Sequence, residues 1–365
     1  MSIPVRRSSS SNSFLFGALA AAVGITTAGY FGVRAIVRNR RHFDLTGKTA
    51  IVTGGSRGIG LAIAQELIAR GARVTICARD AQELAAAEQE LTRDGGEVLS
   101  VVCDVTQADE IANVVQQTRA RFGPIDVLVN NAGIITVGPM AHMKLADFRD
   151  AMDVHFEAPL LFILDCLPEM RQRGSGRIVN IASFGGKIPT PHLAAYAASK
   201  HALVGLSESL RTELVHDGIY VTTVCPGLVR SGSAGPNPMF KGDREAERAW
   251  FVTGDVTPGM SIHPQRLARQ VVDACQAGDA DLITPAVASL QSKLHGLVPG
   301  VSTEVATLIN RLLPKSVGPE GDAPRPGHTL SDEKLPAAVR AAEAKAERES
   351  QATNPNANTG TNGTV

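Results

Sequence analysis

From Lys48 onward, short β-branched runs alternate with helical periods of ten or more residues. That alternation restricts the chain to a largely parallel sheet covered by helices on both faces, because parallel strands need crossovers long enough to hold a helix. Strands are predicted at residues 49–53, 73–78, 97–103, 126–130, 177–181, 220–225 and 281–284. Helices are predicted to begin near Ile59, Asp80, Thr106, Ala146, Tyr196 and Pro264, with Gly71, Gly95 and Gly123 where helices should stop. The expectation is an α/β fold, a doubly wound sheet of seven mainly parallel strands with helices on both faces. Such a sheet takes its ligands at the carboxyl ends of its strands.

Charge and cysteine content remove several function classes. Lysine plus arginine and aspartate plus glutamate number 36 each, so no global basic field exists to hold a polyanion, and nucleic-acid binding is not expected. The five cysteines are odd in number and lack CxxC spacing, which argues against a disulfide framework and a zinc centre. Cys77 and Cys103 end adjacent predicted strands and read as small buried hydrophobes. The histidines show no metal-ligand spacing either, so no metal is expected.

The two ends differ from the middle. Residues 14–33 form an apolar run of 20 broken only by Thr26 and Thr27, enough to span a bilayer core of about 30 Å as a helix. Arg6 and Arg7 precede it, whereas Arg34, Arg38, Arg40 and Arg41 follow it, and the more basic flank stays in the cytoplasm. Residues 1–44 therefore read as a single-pass membrane anchor with the catalytic domain in the cytoplasm. Cleavage after the alanines at 20–22, or an organellar transit peptide, are the competing readings. Residues 45–285 read as one domain and 286–316 as an apolar helical extension carrying Leu290, Leu294, Leu297, Val301, Val305 and Leu308. Residues 317–365, rich in Pro, Gly, Ala and Asn, read as a flexible tail with a short solvated helix around 336–349.

Inside the domain, Gly54-Gly55-Ser56-Arg57-Gly58-Ile59-Gly60 follows the first strand and opens the first helix. Glycine lets the backbone turn sharply and approach a pyrophosphate, whose charge meets the N–H groups of the new helix. The context fits a Rossmann-type arrangement for a dinucleotide, and a turn that serves close packing alone is the alternative. A carboxylate at the end of the second strand would bond a ribose 2′-hydroxyl and repel a 2′-phosphate, but Ala78 stands there with Arg79 just beyond. With Arg57 converging from the turn, NADP(H) is expected rather than NAD(H). Two solvated loop arginines, with Asp80 partly neutralising Arg79, are the alternative.

Tyr196 and Lys200 are spaced i, i+4 on one predicted helix face. An ammonium there should favour the phenolate and lower the tyrosine pKa, making Tyr196 a general acid or base. Ser183, just past the fifth predicted strand, is positioned to hydrogen-bond the same substrate oxygen.

Taken together, the glycine turn, Asn130-Asn131-Ala132-Gly133, Ser183, Tyr196-Ala-Ala-Ser-Lys200 and Pro226-Gly227 resemble, in order and spacing, the short-chain dehydrogenase/reductase family over about residues 45–285. The resemblance implies that Tyr196 passes a proton to or from the substrate oxygen, Ser183 orients that oxygen, and Lys200 holds the nicotinamide ribose. It further implies that Asp104 and Val105 contact the adenine, that Asn131, Ala132 and Gly133 line the cofactor bed with Pro226 and Gly227, and that Ser231 lies near the carboxamide. One position departs from the family. Where it has a catalytic asparagine this chain has His155, which could preserve a proton relay through its main chain, titrate within it, or fix a helix irregularity.

The stretch 227–261 carries Pro236, Pro238, Met239, Phe240, Trp250, Phe251 and Met260 and reads as a lid over an apolar pocket. The expected activity is interconversion of a lipophilic carbonyl, of steroid, retinoid or keto-lipid type, with its secondary alcohol, in a homo-oligomer, a small xenobiotic ketone being the rival substrate. A non-catalytic dinucleotide-binding sensor on the same fold is the alternative, for which His155 is the sequence sign.

Overall fold

The structure is a computed structural model that describes residue 32 and residues 35–93, 95–230, 237–255, 261–331, 333–342 and 344–345. The chain divides into two units, Met1–Phe43 and Asp44–Val365. In the first, residues 35–40 are helical. The apolar run at 14–33 lies, apart from Gly32, outside the described residues, and among those described no helix is long and apolar enough to cross a membrane.

The second unit is organised by β1 (Thr49–Thr53), β2 (Arg73–Ala78), β3 (Val98–Val102), β4 (Val127–Asn130), β5 (Gly176–Ile181), β6 (Ile219–Pro226) and β7 (Asp281–Thr284). They form one sheet in the order β7-β6-β5-β4-β1-β2-β3, every pairing parallel. All seven predicted strands are present. The order reverses between β1 and β4, the switch point at which such sheets open a crevice for a ligand.

The helices are α1 (Gly58–Ala69), α2 (Ala81–Arg93), α3 (Ala108–Phe122), α4 (Leu145–Met152), α5 (Ala158–Arg173), α6 (Ala194–Leu214), α7 (Arg244–Asp255), α8 (Pro264–Ala277), α9 (Ala286–Leu297) and α10 (Pro299–Asn310). The six predicted helix starts fall within two residues of observed ones. Ile51, Leu128, Ile178 and Val221 are register partners in four adjacent strands and bury one face of the sheet against Val114 of α3 and Phe162 and Met170 of α5. On the opposite face α1 packs against α8.

Three features depart from the sequence expectation. The helix predicted from Ala146 is interrupted by a π-helical turn at Asp153–Glu157, which joins α4 to α5 and leaves no mark in the hydrophobic period. The predicted lid contains α7 and a short strand at Met239–Phe240, which pairs with Thr136–Val137. The segment from residue 317, expected to be a flexible tail, is anchored at several points between 317 and 342, and its end beyond residue 345 lies outside the described residues. Arg325–Pro326 adds an antiparallel strand to Met239–Phe240, and Leu335 and Val339 are buried against Val252. Pro and Gly content alone had suggested disorder, but here these residues serve an edge strand and close backbone approaches. Helices α9 and α10 are separated at Val298, as the apolar series with its Pro299-Gly300 break implied, and leave Leu290, Leu297, Val301 and Leu308 exposed, as is Leu312 just beyond them.

This distribution of burial sets the stability map. Phe162→Ala, in the middle of the α5 contact with the sheet, should cost about 3–5 kcal/mol in urea unfolding. Leu297→Ala, at a side chain 78% exposed, should stay within about 0.5 kcal/mol.

Candidate active site

The glycine turn is locked to the end of β4. Thr53 Oγ1 accepts the N–H groups of Asn131 (2.9 Å) and Ala132 (3.0 Å), and Asn131 Nδ2 donates to the carbonyls of Thr53 (2.9 Å) and Gly54 (3.2 Å). Gly54 sits at φ +64°, and a Cβ on Gly60 would lie 2.1 Å from the Gly54 carbonyl oxygen. Only glycine at Gly60 lets α1 rest on the turn. Helix α1 starts at Gly58 with no side-chain cap and no acidic residue in its first turn. Its first N–H groups therefore point an uncompensated positive end toward the switch point, an arrangement suited to a pyrophosphate.

The residues expected to choose the dinucleotide are nearby. Ser56 Oγ donates to Glu83 (3.3 Å) and Arg57 pairs with the same carboxylate (2.9 Å), so Arg57 is turned toward α2. Asp80 Oδ1 accepts the N–H groups of Gln82 and Glu83 at 2.9 Å and caps α2. Arg79 is exposed just beyond Ala78 at the end of β2. After β3, Asp104 Oδ1 accepts from the backbone and hydroxyl of Thr106, and Val105 is buried. Pro226 ends β6, and Gly227 N–H donates to the Thr284 carbonyl at 2.7 Å. Ser231 lies outside the described residues. The other expected cofactor positions in loops, Gly54 to Gly60, Arg79, Asp104, Val105, Asn131 to Gly133, Pro226 and Gly227, lie at or just after carboxyl ends of strands.

The catalytic candidates stand beside this crevice. Ser183 Oγ accepts the Gly185 N–H (3.1 Å) in the turn after β5. Tyr196 and Lys200 lie in the first two turns of α6, and Lys200 Nζ donates to the Ile181 carbonyl (2.9 Å) while standing 5.8 Å from the centre of the Tyr196 ring. A Cβ on Gly186 would lie 2.7 Å from the Lys200 carbonyl oxygen, so this glycine lets the Ser183 turn approach α6. A buried ladder, Asn130 Nδ2 to Asn180 Oδ1 and Asn180 Nδ2 to Ser207 Oγ, both 2.8 Å, fixes α6 across β4 and β5.

Electrostatics correct one expectation. Burial pushes the Lys200 ammonium down to about 7 and raises the Tyr196 phenol above its ordinary value, with the Ser183 hydroxyl offsetting part of that rise. The phenol is therefore not acidified by its neighbour. Desolvation, which favours the neutral form of both groups, is the largest cause of each shift. At neutral pH Tyr196 holds its proton.

His155 sits in the π-helical turn and is buried. Its Nε2 accepts the Ile134 N–H (3.1 Å), which assigns the proton to Nδ1; Nδ1 donates to Ser199 Oγ (2.8 Å), and Ser199 Oγ donates to the Tyr196 carbonyl (2.8 Å). The ring meets the Tyr196 ring edge-on at 5.4 Å. Burial, reinforced by the Lys200 charge, holds its pKa well below the ordinary histidine value. Of the readings open from sequence, burial and the Ile134 and Ser199 hydrogen bonds favour a ring that fixes the helix irregularity. His155 is a neutral bracket between the β4 exit loop and the catalytic helix, and Ser199, which completes it, escaped the sequence reading.

An apolar wall adjoins Tyr196. Val137, Leu193, Phe240 and Phe251 form a buried cluster against which Ile135, Tyr196, Trp250 and Leu330 pack. Glu247 of α7, fully buried, accepts from His192 Nδ1 at 2.9 Å and from Trp250 Nε1 at 2.6 Å. This fixes α7 to the loop just before Tyr196. His192 is held at φ +61°, a strained conformation for a residue with a side chain. Neither His192 nor Glu247 stood out in the sequence, where 55 residues separate them.

A dinucleotide crevice at the switch point beside a Ser, Tyr and Lys on one wall defines a dehydrogenase or reductase site. The family model described as short chain dehydrogenase matches residues 48–239. A putative ketoacyl reductase of Streptomyces coelicolor is 36% identical over 266 residues, covering 70% of this chain and 97% of its own. The granaticin polyketide synthase putative ketoacyl reductase 1 of Streptomyces violaceoruber is 42% identical over 247 residues, covering 64% and 88%. Among solved structures, a single-substitution variant of the actinorhodin polyketide ketoreductase with NADPH superposes with a TM-score of 0.59 at 34% identity, over 65% of this chain and 95% of that one. A metagenomic short-chain oxidoreductase in complex with NADP gives 0.54 at 35%, over 66% and 98%. The chain belongs to the short-chain dehydrogenase family and is an oxidoreductase of that family.

The buried amine carries a pH signature. Lys200 has a folded pKa of about 7 against an ordinary 10.5, so between these values the unfolded chain binds a proton that the folded chain does not. Its contribution to stability is complete above the unfolded value and is lost as pH falls toward 7. Lys200→Met should therefore stabilise the protein at pH 7 and lose that advantage by pH 10, measured by urea unfolding at both pH values. An advantage independent of pH would contradict the assignment.

Proposed function

We propose that this enzyme is an NADP(H)-dependent ketoreductase that interconverts a lipophilic carbonyl compound, of keto-acyl type, with its secondary alcohol. The observation that carries the reaction is the Ser183 hydroxyl acting on a Tyr196 phenol that burial keeps protonated, beside an apolar wall. A protonated phenol is the form needed to give a proton to a carbonyl oxygen. The names of the relatives, ketoacyl reductases and a polyketide ketoreductase, support the substrate class.

For the cofactor, support comes from Ala78 where a carboxylate would select NAD(H), from Arg79 beyond it, and from structural relatives holding NADPH and NADP. The uncapped start of α1 and the turn built on Gly54 and Gly60 fit its pyrophosphate. When bound, NADPH supplies the hydride. The Arg57–Glu83 pair is solvent-exposed, and such pairs are held by about 1 kcal/mol or less, so Arg57 is free to turn toward a 2′-phosphate.

In the direction of reduction, Ser183 Oγ and the Tyr196 phenol hold the carbonyl oxygen. As the carbon becomes saturated, Tyr196 gives its proton to that oxygen, and the alcohol leaves with one new C–H and one new O–H bond. The phenolate left behind is favoured by the positive form of Lys200, half present near its pKa of about 7. His155 and Ser199 keep α6, and with it the phenol, in register with the β4 exit loop. A non-catalytic sensor gains nothing from His155, because the imidazole replaces the expected asparagine as a fixed neutral hydrogen-bonding group.

Two measurements test this reading. Tyr196→Phe should lower ketone reduction by about 10²–10⁴-fold while the protein still binds NADPH, as read by cofactor fluorescence; retained turnover would remove Tyr196 as the acid. Arg79→Asp should shift the NADPH/NADH ratio of kcat/KM toward NADH by about tenfold or more. An unaltered ratio would place recognition of the 2′-phosphate elsewhere.

A further inference from the structure

Residues 317–342, beyond the segment that the family model matches, are stitched to the lid and to the loop beneath it. The Val317 N–H donates to Nε2 of buried His142 (3.2 Å), so Nδ1 carries the proton it shares with Asp322 Oδ1 (2.9 Å). Gly242 N–H donates to the Gly321 carbonyl (2.9 Å), and the Arg244 guanidinium donates to the carbonyls of Ala323 (2.9 Å) and Glu320. Arg325–Pro326 pairs with Met239–Phe240, and Gly327 N–H reaches the Pro238 carbonyl (3.0 Å). Lys334 Nζ holds both carboxylate oxygens of Asp243, at 2.8 and 2.9 Å. A Cβ on Gly321 would lie 2.8 Å from His142 Cε1, so the strap passes this point only as glycine.

These anchors lie on 237–255 or on the loop at 139–144, and between two of them the chain delivers Leu330. That half-buried side chain packs on the Val137–Leu193–Phe240–Phe251 cluster that also supports Tyr196. A two-residue strand is not stable by itself, so the pairing of Arg325–Pro326 with Met239–Phe240 helps hold the lid in one place. A wall fixed in this way selects by fit, and a missing or added apolar carbon on such a wall changes discrimination by about 10–200-fold.

We propose that the C-terminal strap is the substrate-selecting element of this enzyme and that Leu330 is a specificity-determining residue, setting the bulk of the carbonyl substituent accepted beside Tyr196. This rests on the ketoreductase reading of the same site. The latch at Lys334 and Asp243 acts through the lid and so positions Leu330 rather than touching substrate.

The test uses the full chain and a ladder of ketones, from small methyl ketones to long or polycyclic ones, with NADPH. Leu330→Ala should raise the bulky-to-small ratio of kcat/KM by about tenfold, chiefly through KM, and Leu330→Phe should lower it by a similar factor. Leu330→Met, of equal bulk, should leave the ratio near that of the parent. Lys334→Gln should blunt the discrimination without reversing it. Opposite shifts for the smaller and larger side chains are not produced by a merely structural role. Shifts in the same direction, or none, would overturn the proposal. Calorimetric affinities for the corresponding alcohols give the same comparison without turnover. A parent enzyme that reduces no ketone would thus defeat the ketoreductase reading, while the binding ratio still decides the role of Leu330.

Discussion

The site depends on a bridge through one uncharged imidazole. His155 accepts from Ile134 on one side and donates through Ser199 to the carbonyl of Tyr196 on the other, tying the exit of β4 to the catalytic helix. The bridge works only while Nε2 keeps a free lone pair. A protonated ring would present N–H to N–H at Ile134, and the surroundings prevent this by burial and by the nearby Lys200 charge. The π-helical turn supplies the geometry, because its extra residue bulges the α4–α5 helix where His155 reaches between the two elements. Gly133 completes the fit, since a Cβ there would come within 3.1 Å of Nε2.

Three titratable side chains, His155, Tyr196 and Lys200, share this region, and burial pushes each toward its neutral form. Groups whose environments separate their proton affinities divide acid and base roles between them. On the proposed function Tyr196 would keep a proton to give and Lys200 would exchange one near neutrality, while burial holds His155 neutral. Burying an amine costs stability, and the chain carries that cost one helical turn from Tyr196.

Much of this was legible because some residue types answer local demands. The glycine at position 60 is required by a carbonyl 2.1 Å from any Cβ, and its place after a strand and before a helix announces the turn. The Tyr196–Lys200 spacing places both on one helix face whatever surrounds them. What surrounds them was not legible, so an amine read as acidifying the phenol proves too desolvated to do so. Contacts between distant segments left no signal either. His192 meets Glu247 across 55 residues and His142 meets Asp322 across 180, with no spacing rule to connect them. The strap misled for a related reason: Gly321 and Pro326 resemble linker residues in composition, whereas in the fold one permits a close approach and the other occupies an edge strand.

The catalytic helix and the strap are mechanically continuous. From His155 the connection passes to Ile134, then within two residues to Thr136–Val137, which pairs in parallel with Met239–Phe240. That strand in turn carries Arg325–Pro326 on its other edge, from which the chain reaches Leu330. Phe240 thus belongs both to the small sheet and to the apolar cluster on which Tyr196 rests. A shift of the strap strand would be felt at Phe240 before it reached solvent, because packed side chains transmit displacement rather than absorb it. The loop that His155 holds at Ile134 therefore continues into the same small sheet as the strap, so on the proposed function reactivity at Tyr196 and selectivity at Leu330 would be coupled through a two-residue strand.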